Sequence, residues 1–155
     1  MTTPEPPAPQ PAAVPSPLAD WGTRALGFLI DWAPVIILNA IFYRVSFIGW
    51  LFWLASIGYI AYLGHLDGLT GQTPGKAMMG IRLVNAQGQL IGSGAGIGRK
   101  FAHILDSLVC GLGYLLPIVD ASRQTIADKV MTTYVVTGVE KKPFSVDLWT
   151  NPKPE

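Results

Sequence analysis

From Ala25 to Tyr43 the chain reads ALGFLIDWAPVIILNAIFY, and from Phe47 to Leu66 it reads FIGWLFWLASIGYIAYLGHL. Each run comes close to the roughly 20 apolar residues that a helix needs to cross the hydrocarbon of a bilayer. The connection around Arg44 and Ser46 leaves room only for a tight turn. The pair therefore reads as an antiparallel transmembrane hairpin, with Trp50, Trp53, Tyr59 and Tyr62 suited to anchoring at the interface. Composition agrees: half of the 155 residues are apolar and only 14% are charged, against about 25% charged in a typical soluble domain. The net charge of +1 gives no basis for binding nucleic acid. The lipid bilayer is the first partner expected.

The flanks differ. Residues 1–19 contain PEPPAPQPAAVPSP, without a basic start or an apolar core, and read as a disordered, partly polyproline tail and not as a secretory signal. A membrane domain over residues 20–138 and a C-terminal tail over 139–155 complete the expected organisation. After the hairpin, DGLTGQTPGKAMMGIRLVNAQGQLIGSGAGIG has the texture of a water-facing segment. IRLV and QLI around the turn NAQG predict a short β-hairpin, and TTYVV near the C-terminus has the composition of a strand that pairs with it.

A third apolar stretch, Ile97 to Val119, is long enough to span but holds Arg99, Lys100, His103, Asp106, a GLG at 111–113 and Pro117. If it spans, the membrane-flanking lysines and arginines divide evenly between the two sides. If it re-enters and turns back at GLG, all but Arg44 fall on one side, as the positive-inside tendency favours. The fold class expected is thus an α-helical membrane protein: a transmembrane hairpin, a third apolar segment that re-enters or spans, and a small cytoplasmic β-sheet. The N-terminus is expected on the cytoplasmic side.

Charges inside apolar helices are the functional candidates. RALGFLID (Arg24 to Asp31) and RKFAHILD (Arg99 to Asp106) each set an arginine seven residues before an aspartate. Seven residues make nearly two helical turns, so each Arg and Asp share a face about 10 Å apart along the axis. Asp31, two turns into the first span, requires a partner away from lipid; it reads as an ion or proton site, or as a buried pair that fixes packing. Arg24, nearer the surface, is placed to reach headgroups. His103 and Asp106, three apart on one face, read as a relay with Asp31 across the helices or as a local hydrogen bond.

GQTPGK does not make a phosphate-binding loop: Thr70 stands where the first glycine is needed, and Ala77 where a Ser or Thr is needed. A turn at Pro74–Gly75 opening a short surface helix at Lys76 is the better reading. Lys76, Arg82, Arg99 and Arg123 are then expected near anionic lipid or paired with Asp120 and Asp128. One cysteine, Cys110, and two histidines, His65 and His103, offer neither a disulfide framework nor a Cys/His metal cluster. No nucleophile has a base beside it. No enzyme activity, metal or cofactor is expected.

TRALGFLID, GQTPGKAMMGIRLVNAQG, RKFAHILDSL and RQTIADKVMTTYVV, in this order over roughly residues 20 to 137, resemble the RDD family of small bacterial membrane proteins. The family is named for an arginine and two aspartates. Arg24 and Asp31 fit the Arg and the first Asp; Asp106 or Asp128 fits the second. The resemblance adds Gly71, Gln72, Thr73, Gly75 and Lys76 as a cytoplasmic motif, with Arg82, Arg123 and Asp128. It implies a multi-pass protein of the bacterial plasma membrane, for some members of which proton-coupled cation exchange is proposed. Two functions are expected from different classes: an accessory or interaction subunit of a larger membrane assembly, and an oligomeric proton-coupled cation transporter. So small a chain cannot enclose a transport path alone, which favours the first.

Overall fold

The structure is a computed structural model that describes residues 15, 17–42 and 46–151, with side chains omitted at 46–48. The tight turn at 43–45, with Arg44, and the proline tail up to residue 14 lie outside the described residues. Helix α1 spans Trp21–Phe42. It starts where the Asp20 carboxylate accepts from the Thr23 amide (2.9 Å) and hydroxyl (2.6 Å), an N-cap that satisfies amides the helix leaves open. At 22 residues, about 33 Å, it is long and apolar enough to cross a membrane. Pro34 sits inside it, and one turn earlier the Asp31 carbonyl accepts from the Tyr59 hydroxyl at 3.0 Å, a tie from α1 to α2. Helix α2, Ser46–Thr70, returns alongside. Ile37, Ile41, Trp50 and Trp53 all face outward from the pair.

The water-facing segment forms a short helix α3 (Pro74–Met79) and a strand β1 (Ile81–Asn85). Helix α3 is not on the surface as expected: Pro74, Gly75, Lys76 and Ala77 are all buried against α1. The close approach requires glycine at 75, since a Cβ there would run into the carbonyl of Gly27. Gly80, with φ +67°, closes α3 in the left-handed conformation that turns the chain into β1.

The third apolar stretch breaks in the middle. Helix α4, Ser93–Leu108, is followed by a 3-10 turn at Leu112–Leu115 and a helix α5, Leu116–Val119, with a bend of 106° between the arms. Cys110 and Gly111, with φ +56° and +77°, make the corner, at the glycine pair read as the turning point. Helix α6 (Ile126–Val130), strand β2 (Thr133–Thr137) and a terminal turn of helix, α7 (Asp147–Thr150), complete the chain.

The sheet differs from the hairpin expected. QLI does not pair with IRLV; β1 pairs antiparallel with β2, in the register Ile81↔Thr137, Leu83↔Val135, Asn85↔Thr133. The NAQG turn forms, Asn85 N–H donating to Gln89 O at 2.9 Å, but Leu90 then lies exposed and the chain leaves for α4. A strand with Val135 buried offers what QLI cannot, an apolar face matching Ile81 and Leu83. Residues 17–19 add to the outer edge of β2 through Thr137 N–H to Pro17 O (2.9 Å) and Ala19 N–H to Val135 O (2.8 Å), which covers that edge. The apolar cluster is small: Ala19, Ile81, Leu83 and Val135, with Met79 and Ile91 against it.

Helices α2 and α4 cross on glycine. Cβ atoms placed on Gly68 or Gly96 would collide with the backbones of Gly92 and Gly64 respectively. Gly96→Val is therefore expected to push the two helices apart and lower stability by about 1–3 kcal/mol, the usual cost of overpacking. Gly94→Ala on the same helix, where a Cβ meets open space, is the neutral control. Thermal unfolding in detergent reads both.

Candidate functional site

Among the described residues four carboxylates are buried: Asp31 is 3% exposed, and Asp67, Asp106 and Asp128 not at all. They fall into two kinds. Asp31, on α1, faces the N-terminus of α3, taking the Thr73 hydroxyl at 2.6 Å and the Gly75 amide at 2.7 Å. Asp106, on α4, faces the N-terminus of α6, taking the amides of Ile126 (2.8 Å) and Ala127 (3.4 Å), and on its other side the His103 ring at 2.7 Å. A helix N-terminus favours an anion through its free amides and its dipole, so both aspartates are held without a full counter-charge.

The other two belong to one ion network. Asp128 is gripped by Arg99, whose Nε donates at 2.8 Å, and by the guanidinium of Arg24. The Thr133 hydroxyl (3.3 Å) and the Thr125 amide (3.2 Å) add to it. Asp67 accepts from Lys76 through both oxygens, with Arg99 at 3.5 Å and Lys100 at 3.7 Å. Lys76, Asp67, Arg99, Asp128 and Arg24 thus alternate in sign across the junction of α1, α2, α3, α4 and α6. Burial opposes ionising Asp128, but the Arg99 and Arg24 guanidinium groups hold its carboxyl well below the usual carboxylate range. Burial drives the Lys76 amine down to about 7, with Asp67 opposing and Arg99 and Lys100 reinforcing the shift.

The two halves of the network repeat one another. QTPGKAMMGIRLVN (72–85) aligns without a gap on QTIADKVMTTYVVT (124–137), placing Gln72 on Gln124, Thr73 on Thr125, Met79 on Met131 and Val84 on Val136. The geometry follows the alignment. Thr73 and Thr125 each cap a short helix with the side chain, and Gln72 and Gln124 each donate to the carbonyl nine residues on, Ile81 and Thr133. Gly80 and Thr132 both take positive φ. Leu83 and Val135, equivalent residues, face each other at the centre of the sheet, so a local two-fold axis passes between them. Each R-x6-D helix then delivers its aspartate to the short helix of its own half. Proline at 74 has no N–H to give where Ile126 gives one to Asp106, and the Thr73 hydroxyl takes that place. The echo of Arg24–Asp31 in Arg99–Asp106 is visible in the sequence; the second block is equally visible at its fixed offset of 52 residues, a signal that marks Gln124 and Thr125 as counterparts of Gln72 and Thr73.

Several expectations are corrected here. No relay joins Asp31 to His103 and Asp106: they serve the two different short helices, because each helix carries its aspartate to its own half. Arg24 does not reach out to headgroups but inward, to Asp128 and the Arg123 carbonyl. Lys76 pairs with Asp67 instead of Asp120 or Asp128, and Asp120 takes Lys129 at 2.6 Å. Arg123 donates to the Leu18 carbonyl at 2.9 Å, tying residue 18 to the loop before α6. Arg99 with Asp128 is as expected. Gly71, with φ +74°, accepts from Leu83 N–H at 2.7 Å, and Arg82 lies half-buried in β1 opposite Val136. Among the described residues no group of three His, Cys, Asp or Glu is placed to hold a metal ion.

An apolar helix of membrane-crossing length, joined to the rest of the chain by a buried ion network, points to a small membrane protein. Residues 18–132 match the RDD family, and the chain belongs to it. It is 35% identical over 148 residues to the proline-rich antigen homolog of Mycobacterium tuberculosis, covering 75% of this chain and 62% of that protein. Against the proline-rich antigen of Mycobacterium leprae it is 45% identical over 65 residues, 41% of this chain and 26% of the relative. Against the uncharacterized protein YxaI of Bacillus subtilis it is 36% identical over 64 residues, 41% of this chain and 42% of the relative. The chain thus spans less than two thirds of the mycobacterial relatives. No solved structure matches.

Two outcomes test the network. Asp128→Asn leaves Arg24 and part of Arg99 buried without a counter-charge and is expected to lower stability by about 3–5 kcal/mol. Asp120→Asn, which loses a pair with Lys129 46% exposed, is expected to change it by less than about 1 kcal/mol. Chemical denaturation in mild micelles compares them. For Lys76 the folded state holds its proton less tightly than the unfolded chain, about 7 against 10.5. The unfolded state therefore binds more protons between these values, so stability rises with pH across that window and its gain is lost as pH falls back to 7. Lys76→Met removes this slope; an unchanged slope in the variant assigns it elsewhere.

Proposed function

We propose that the chain is an interaction subunit of the bacterial plasma membrane, a multi-pass protein with its N-terminus in the cytoplasm. In this reading its buried charges lock a small fold together and present it, singly or as a homo-oligomer, to a larger membrane assembly. One observation carries the reading. The buried carboxylates are filled by donors of the same chain, Asp31 by Thr73 and Gly75 and Asp106 by His103 and the α6 amides, so none stands open to a passing ion. Small size supports it too, since a hairpin and a bent third segment enclose no path through the bilayer.

A second reading, an oligomeric proton-coupled cation transporter, draws on Lys76, whose amine is brought by burial to about 7 and so changes charge near neutrality. Asp31→Asn separates the two. Asn keeps the size and accepts from Thr73 but does not ionise. The interaction reading expects no cation-dependent proton flux from purified wild-type protein in proteoliposomes at any pH or gradient, and partners that co-purify in mild detergent and fall away in the variant. Flux in the wild type that vanishes in Asp31→Asn, with folding intact, overturns it.

A further inference from the structure

Helix α4 carries two opposite faces. Phe101, Ile104, Leu105 and Leu108, at the i, i+3, i+4, i+7 spacing of one stripe, all face outward, Leu108 72% exposed. On the opposite side Gly96, Arg99 and Asp106 are buried, fixed by the crossing on α2, the grip on Asp128 and the N-terminus of α6. The helix cannot roll, because rolling would break the ion network; its apolar stripe is committed to the outside. Past the bend, Leu112, Ile118 and Val119 continue that surface, Val119 82% exposed.

Neither arm of this bent pair is long enough to cross by itself. Helix α4 has 16 residues, about 24 Å against a hydrocarbon core of roughly 30 Å, and the chain then turns by 106°. Its level is set by α1. The indole of Trp21, the first residue of the membrane-length helix, donates to the Tyr114 carbonyl in the 3-10 turn at 2.9 Å, and Arg24, one turn on, donates to the Arg123 carbonyl beyond α5. The bent pair therefore lies beside the start of α1, and its outward face runs on into the exposed apolar surface of α1 at Leu26, Phe28 and Leu29. Exposed Arg123, whose carbonyl takes Arg24, stands at the same end of α1, where anionic headgroups lie.

We propose that α4, the 3-10 turn and α5 form a wedge in the single leaflet at the N-terminal end of α1, so that the protein favours membranes in which that leaflet is convex. A body wider in one leaflet than in the other takes up area only on one side, and an amphipathic segment inserts most readily where lipid packing is loosened by curvature. The inference goes beyond the interaction reading and does not rest on it: it requires the bent pair's position, not any partner.

The test uses the full chain with a tag at its N-terminus, reconstituted into small sonicated and large extruded vesicles of phosphatidylcholine and phosphatidylglycerol. The single cysteine, Cys110, exposed at the corner, carries a fluorescent probe without any substitution. The fraction of molecules with the tag outward is expected to rise several-fold from large to small vesicles, since the outer leaflet of a small vesicle is convex. Spin-labelled lipid confined to the outer leaflet should quench the probe in those tag-out molecules. Leu108→Ser with Ile118→Ser, both on the exposed face, should abolish the size dependence while leaving thermal unfolding unchanged. Three results would each overturn the proposal: tag orientation independent of vesicle size, quenching of tag-out molecules only from the inner leaflet, or efficient energy transfer between Cys110 probes of two copies showing that a second chain covers the face.

Discussion

Asp128 is the point on which the two halves of the chain are joined. Arg24 comes to it from the first half and Arg99 from the second, and Thr125 and Thr133 complete its shell from its own short helix and strand. A buried carboxylate between two guanidinium groups is expensive to form and more expensive to break, because removing it strands two cations in a poorly hydrated interior. Such an arrangement adds little to net stability, but it ties α1 and α4 to α6 through one anion. With an apolar cluster as small as Ala19, Ile81, Leu83 and Val135, specificity has to come from polar geometry.

Around that joint the fold is a two-fold repeat with its symmetry broken by charge. The third residue of the short helix is Lys76 in one half and Asp128 in the other. Arg99, approaching the first half, would meet a like charge in Lys76. Asp67, which has no counterpart at the equivalent Val119, lies between them and turns repulsion into an alternating chain. The halves also differ in reach: α1 and α2 have 22 and 25 residues, while α4 and the bent arm after it are shorter. The first half holds the helix long enough to cross a bilayer and the second holds a helix pair bent in its middle, which is how a repeated unit yields unequal ends.

Much of this was legible before any coordinates. The long apolar runs, the proline inside the first and the glycine corner at 111–113 are local properties of consecutive residues, and a helix or a break follows from them directly. The spacing of Arg24 with Asp31 and of Arg99 with Asp106 also marked the charged helices. The pairing did not follow in the same way. IRLV has an adjacent candidate in QLI and a distant one in TTYVV, and only burial of Val135 against Leu83 selects the distant strand. Lys76 has Asp120 and Asp128 as plausible partners in the sequence, and nothing local marks Asp67, near the end of α2, because its role depends wholly on what packs against it.

By itself, then, the sequence determined that this is a membrane chain of the RDD family with charged helices and a small sheet, because hydrophobic length, turn residues and motif blocks act over a few neighbouring positions. Which carboxylate meets which cation was decided by the tertiary structure alone. An ion pair is a matter of a few ångströms between side chains that lie up to 104 residues apart, as Arg24 and Asp128 do, and that distance is fixed only when the glycine crossings of α1 with α3 and α2 with α4 bring the backbones together.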